Sequence, residues 1–168
     1  MVSKREAVNS AWANVQSAYQ RRADLIPNLV STVKGVAEFE QTTLEKVVEA
    51  RAKATSIQFN AEDLSEENLQ KFQNAQDELS GALSRLLVVS ENYPQLKATD
   101  SFRDLQAQLE GTENRINTER NRFNQAVQEY NSSIKSFSMV LYSGAFGFKD
   151  KAYFEADKGS ERAPEVKF

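Results

Sequence analysis

The chain has 168 residues and a formal charge of −3, a size that suits one domain and a balance that argues against a nucleic-acid-binding surface, whose footprint is a basic excess. It contains no Cys and no His, which removes disulfides, zinc sites, thiol nucleophiles and every triad that needs imidazole. Six glycines and three prolines leave few turns, so the elements must be long.

Residues 36–80 and 112–143 hold neither Gly nor Pro, and their Ala, Glu, Lys, Gln and Leu content reads as helix. From the start, Val8, Val15, Arg22, Leu29 and Val36 recur every seven residues, with a second row of Trp12, Tyr19, Ile26, Val33, Glu40 and Val47 four residues along. Together they make one stripe with two polar interruptions, and predict a first helix over about 3–56, ~80 Å long at ~1.5 Å per residue. Pro27 lies inside this pattern, so a kink or short break is expected near Leu25–Pro27.

The period lapses between Ser56 and Ser65, where the first turn is placed and where Asn60 or Ser65 can cap the next helix. A second helix follows over 61–93, with rows Phe72, Leu79, Leu86, Tyr93 and Leu69, Gln76, Leu83, Ser90. It stops at Tyr93, because Pro94 disfavours helical backbone in the residue before it. A third helical region covers 100–138, with rows Phe102, Leu109, Ile116, Phe123, Tyr130, Phe137 and Gln106, Glu113, Arg120, Val127, Ile134. Gly111 and Thr112 can end one helix and cap another, although the heptad spacing from Leu109 to Ile116 favours continuity.

After Ser138 the period gives way to glycines and aromatics, among them Tyr142, Phe146, Phe148, Tyr153, Phe154 and Phe168. The expected fold is therefore all-α: an elongated, spectrin-repeat-like antiparallel bundle of three to four long helices over residues 1–138. An extended tail over 139–168 is pinned to it by aromatic side chains.

The candidate polar cluster is Arg21, Arg22, Asp24, Glu113, Arg120 and Asn124. Arg22, Glu40, Glu113 and Arg120 all fall in rows where apolar residues are expected, and two positive with two negative charges can balance as an interhelical cluster that fixes register. Asn124 and Asn131, beside Phe123 and Tyr130, fit the same ladder. A reversal at Gly111 would bring Glu113 beside Arg22 and Arg120 beside Asp24, whereas an unbroken third helix would leave Arg22 unpaired. The reversal is favoured because an unpaired buried charge is the larger penalty. No cofactor or metal is expected: bundle di-metal centres need Glu-x-x-His motifs, and Glu38/Glu40 and Glu62/Asp63 read as solvated pairs. Gly144-Ala145-Phe146-Gly147 lacks the Lys-Ser/Thr of a phosphate loop.

The chain resembles the LemA family of bacterial membrane-anchored proteins. The segments that carry the resemblance run in order through the chain: Arg5-Glu6-Ala7-Val8 with Ala11-Trp12, then Arg21-Arg22-Ala23-Asp24-Leu25-Ile26-Pro27-Asn28-Leu29-Val30, Val33-Lys34-Gly35 and Glu49-Ala50-Arg51. Glu91-Asn92-Tyr93-Pro94, Glu113-Asn114-Arg115-Ile116, Tyr130-Asn131, Gly147-Phe148, Tyr153-Phe154 and Pro164-Glu165-Val166-Lys167-Phe168 follow. Phe123 and Ser138 depart from the family's usual residues. The resemblance implies a helical bundle behind one N-terminal transmembrane helix that would lie immediately before Val2. No run of ~18–20 apolar residues occurs in the chain itself. Lys4 and Arg5 would follow that anchor and vote for a cytoplasmic-facing bundle at the cell membrane. The function expected is a membrane-tethered protein-interaction or scaffold domain without enzymatic activity, open to self-association, with an unidentified protein partner and no nucleic acid. The alternative is an enzyme or ligand-binding protein using a polar inter-helix site around Asp24, Glu113 and Arg120.

Overall fold

In a computed structural model, residues 2–36, 38–136 and 147–155 are described. The described chain is helical: α1 (Val2–Lys34), α2 (Gln41–Ser56), a 3-10 turn (Ala61–Asp63), α3 (Glu66–Ser90), the single turn α4 (Pro94–Lys97) and α5 (Asp100–Ile134). Ser65 and Thr99 cap α3 and α5, each hydroxyl accepting from the backbone N–H three residues on, which satisfies one orphan donor per helix.

Three long-range sets of contacts fix the directions. Trp12 Nε1 and Gln16 Nε2 both donate to the Phe59 carbonyl, at 3.2 and 3.1 Å, so α2 descends antiparallel to α1. Phe72 packs edge-on against Tyr19, and α3 rises beside α1 again. Lys4 Nζ reaches the Glu129 carbonyl while Phe102 lies in the same apolar cluster as Leu29 and Val33, so α5 descends. The result is an up-down-up-down bundle in which α1 packs along α5 and α2 along α3.

The expected single helix over 3–56 is in fact two helices. α1 ends at Lys34, and the N–H groups of Gly35 and Val36 close tight turns onto Thr32 and Val33. The chain then reverses, which buries Phe39 against Tyr93 with ring centroids 4.9 Å apart. Tyr93 Oη also donates to the Glu38 carbonyl at 2.9 Å, joining the two turns at that end of the bundle. The ~80 Å rod is therefore replaced by a bundle whose longest helices have 33 and 35 residues, about 50 Å at 1.5 Å per residue.

Pro27 does not interrupt α1. Lacking an N–H, it cannot donate to the carbonyl one turn back, on Ala23. Arg51 Nε of α2 donates to that carbonyl instead, at 2.8 Å, so the defect in one helix becomes a bond between two. Nor does α5 break at Gly111: it runs unbroken from Asp100 to Ile134.

Two apolar clusters fill the interior. One contains Trp12, Tyr19, Phe72, Ile116, Phe123 and Tyr130. The other, towards the Gly35 turn, contains Ile26, Leu29, Val33, Val47, Leu79, Leu86 and Leu109. The boundary between them falls between Tyr19 and Ile26 on α1, Phe72 and Leu79 on α3, and Leu109 and Ile116 on α5.

Candidate functional site: a polar layer and a tail clasp

That boundary is where the polar residues meet. Arg22, only 1% exposed, spends its guanidinium on two neighbouring helices. Nη1 donates to Ser80 Oγ at 2.5 Å and to Glu113 Oε1 at 2.7 Å. Nη2 donates to the main-chain and side-chain oxygens of Gln76 at 3.0 and 2.7 Å. Its face lies 5.1 Å from the Tyr19 ring centroid. Glu113 is 43% exposed, so the pair is buried at the arginine end and hydrated at the carboxylate end.

This layer floors a groove of about 600 Å³ whose walls include Gln73, Asp77 and Ser80 of α3 and Glu113, Asn117 and Arg120 of α5. Glu155 of the tail also lines it. Burial pushes the Tyr19 hydroxyl up to about 12, against the pull of the Arg120 and Arg22 charges.

Of the expected cluster, Arg22 and Glu113 are bonded and Arg120 lines the same groove. Arg21 and Asp24 point elsewhere. Arg21 is exposed beside Gly111 and Arg115, and Asp24, also exposed, accepts from Gln20 at 2.8 Å. Two residues of α1 next to a buried one lie about 100° and 200° away around the helix, which puts both outside the groove. Glu40 is also exposed and accepts from Thr43 at the start of α2. The Arg22–Glu113 pair thus forms by a route opposite to the expected one. The reversal is at Gly35 rather than Gly111, and an unbroken α5 then brings Glu113 level with Arg22.

Asn124 and Asn131 serve the tail. Asn131 Nδ2 donates to the Lys151 carbonyl and its Oδ1 accepts the Lys151 N–H, both at 2.9 Å. Asn124 treats Phe154 the same way, at 3.1 and 2.8 Å, and Gln73 treats Glu155 so at 3.2 and 3.3 Å. Arg120 Nη2 adds a bond to the Glu155 carbonyl at 2.7 Å, with its guanidinium 5.2 Å from the Phe154 ring centroid.

Aromatic pinning accompanies this clasp. Phe154 is buried against Phe123 and Trp12, with centroids at 5.4 and 6.1 Å. Phe148 is half-buried and Tyr153 exposed; Tyr142, Phe146 and Phe168 lie outside the described residues. Lys151 Nζ donates to the Ala61 carbonyl at 2.8 Å, and burial lowers its pKa, partly offset by Glu62.

Sequence reasoning missed Gln73, Gln76, Ser80 and Glu119. Gln76 stood in an apolar row, and its polarity was the available signal. Glu119 is 1% exposed, with Oε1 held by Arg115 and Arg122 at 2.8 and 3.0 Å. It belongs to a third row, Leu105, Thr112, Glu119, outside the two rows considered. Glu38, Glu40, Glu62 and Asp63 are exposed, and among the described residues no three of His, Cys, Asp and Glu converge on a metal position.

The profile of the LemA family matches residues 11–168, nearly the whole chain and including both the Arg22 layer and the tail clasp. The chain belongs to the LemA family. It is 22% identical over 151 residues to the protein LemA of Metamycoplasma hominis, covering 90% of this chain. Over 74 residues it is 32% identical to the magnetosome protein MamQ 2 of Paramagnetospirillum magneticum, and over 73 residues 30% identical to MamQ of Magnetospirillum gryphiswaldense. Each of these two matches covers 44% of this chain. This LemA-family chain spans 65% of the mycoplasmal protein and 27% of each magnetosome protein, less than two thirds of these curated relatives. Among the described residues no helix is long and apolar enough to cross a membrane.

Proposed function

We propose that this LemA-family chain is the bundle of a membrane-associated, single-pass protein and serves as a non-enzymatic interaction or scaffold domain facing the cytoplasm. The observation that carries this reading is the employment of Arg22. Its guanidinium is bound by acceptors from α3 and α5, a layer that sets helix register in the manner attested for buried polar groups. The tail's Glu155 lines the groove beside this layer, its carbonyl held by Arg120 and Gln73.

The family resemblance supports the membrane association. α1 starts at the end of the bundle opposite the Gly35 turn, which is compatible with an anchor joined at that end. A span entering there would hold the far turns about 50 Å from the bilayer, by the length of α1. Lys4 and Arg5 beside such a span favour the cytoplasmic side.

The test is in-cell photo-crosslinking of the full-length anchored protein, with probes at the exposed Val48 and Val88 and captured proteins identified. A discrete, reproducible protein adduct is expected. No adduct, together with a small molecule retained by the purified protein and released by Glu113→Gln, would favour the alternative of a ligand-binding protein.

A further inference from the structure

The segment Lys151–Glu155 is held in an unusual way. Each of three side-chain amides grips both the N–H and the C=O of one tail residue: Asn131 on Lys151, Asn124 on Phe154 and Gln73 on Glu155. An amide presents one donor and one acceptor side by side, so each does for the tail what a neighbouring strand does for an added peptide. These bonds read backbone and not sequence. Two side chains supply the selectivity: Phe154 enters a box of Trp12, Phe72 and Phe123, and the Lys151 ammonium sits on the Ala61 carbonyl.

All the gripping groups belong to α1, α3, α5 and the turn before α3, and none to the tail itself. The structure assigns this face as a receptor for an extended peptide of Lys-x-x-Phe pattern, and we propose that its exchangeable ligand is the same segment from a second copy of the chain.

The occupant follows from two features. A second copy carries the required Lys and Phe at the required spacing by identity. The link is also far longer than the cis arrangement needs: Lys151 is bonded to Asn131, and Asp150 pairs with Lys135 at 3.2 Å, within one turn of the end of α5. The chain from Ile134 to Lys151 has a contour length on the order of 55 Å. That is enough to reach the equivalent site on a neighbour lying side by side. The cis tail competes at an effective concentration in the millimolar range, so the isolated chain is mainly self-occupied and exchange requires crowding, as on a membrane. This goes beyond the scaffold reading and does not depend on it.

The experiment uses two full chains with complementary defects. Phe154→Ala has an intact receptor and a disabled tail; Asn124→Ala/Asn131→Ala has an intact tail and a disabled receptor. Each alone is expected to be monomeric by light scattering, and their mixture to give a 1:1 dimer. A peptide spanning Gly147–Glu155 should saturate the Phe154→Ala chain, read by Trp12 fluorescence. Its version with Ala at the position of Phe154 should bind at least tenfold more weakly. Wild-type chains carrying two different tags, mixed at millimolar concentration, supply a measurement free of variants: mixed dimers should form and be suppressed by the peptide. No dimer in either mixture overturns exchange between copies, even if the peptide binds. Failure of the peptide to bind the folded Phe154→Ala chain overturns the receptor itself.

Discussion

At the scale of single residues, the buried layer has a clear electrostatic signature in Tyr19. Its ring faces the Arg22 guanidinium and its hydroxyl is raised to about 12, with burial the largest cause. An acid whose folded pKa lies above its unfolded value of ~10 favours the folded state fully below pH 10 and loses that contribution as pH rises from 10 to 12. Alkaline denaturation should therefore steepen above pH 10 in the wild type. Tyr19→Phe should flatten that part of the stability–pH curve, measured by urea unfolding at pH 9, 10 and 11; equal slopes would contradict the assignment. The residues of the layer were partly legible in the sequence, because Arg22 and Glu113 are charges in apolar rows. Their purpose was not, because a row shows that a side chain is buried and not which helix lies opposite. Asn124 and Asn131 illustrate the same limit: heptad spacing marked them as a ladder, but their partners are backbone groups of a tail with no period to read.

Among the elements, the instructive pair is α1 and α2. Val33, Glu40 and Val47 keep heptad phase across the Gly35 turn, so the stripe reads as one helix although the chain reverses within it. The reversal is accompanied by burial of Phe39 on Tyr93 and by packing of α2 along α3, contacts distant in sequence that no local pattern carries. Gly111 misled in the opposite sense. It sits inside α5, where an added Cβ would meet nothing within 4 Å, a tolerated helical glycine that is neither cap nor turn. The Arg51 bond to the Ala23 carbonyl gives this level its prediction. Arg51→Met leaves that carbonyl without the donor Pro27 cannot supply, and should destabilise by about 1–3 kcal/mol. Pro27→Ala restores an N–H in α1, so Arg51→Met should have a much smaller effect in that background. Equal losses in both backgrounds, by urea denaturation, would show that the arginine acts in some other way.

For the whole molecule, the composition was the most informative part of the sequence. Few glycines and prolines describe long helices, and the chain is an all-α antiparallel bundle. Length was misjudged because one hidden reversal turns an ~80 Å rod into a bundle of about 50 Å. Among the described residues a polar layer contributed by α1, α3 and α5 lies between the two apolar clusters. Buried polar groups of this sort specify alignment, since a slip by one heptad would strand Arg22 among leucines. The claim that this layer holds the bundle together is tested most directly by a double-mutant cycle between Arg22→Met and Glu113→Gln, read by urea denaturation of the two single variants and the double. Glu113 is 43% exposed, which discounts the pair towards the surface value, so a coupling of about 1 kcal/mol is predicted, above the ~0.5 kcal/mol scatter of independent sites; simple additivity of the two losses would contradict it.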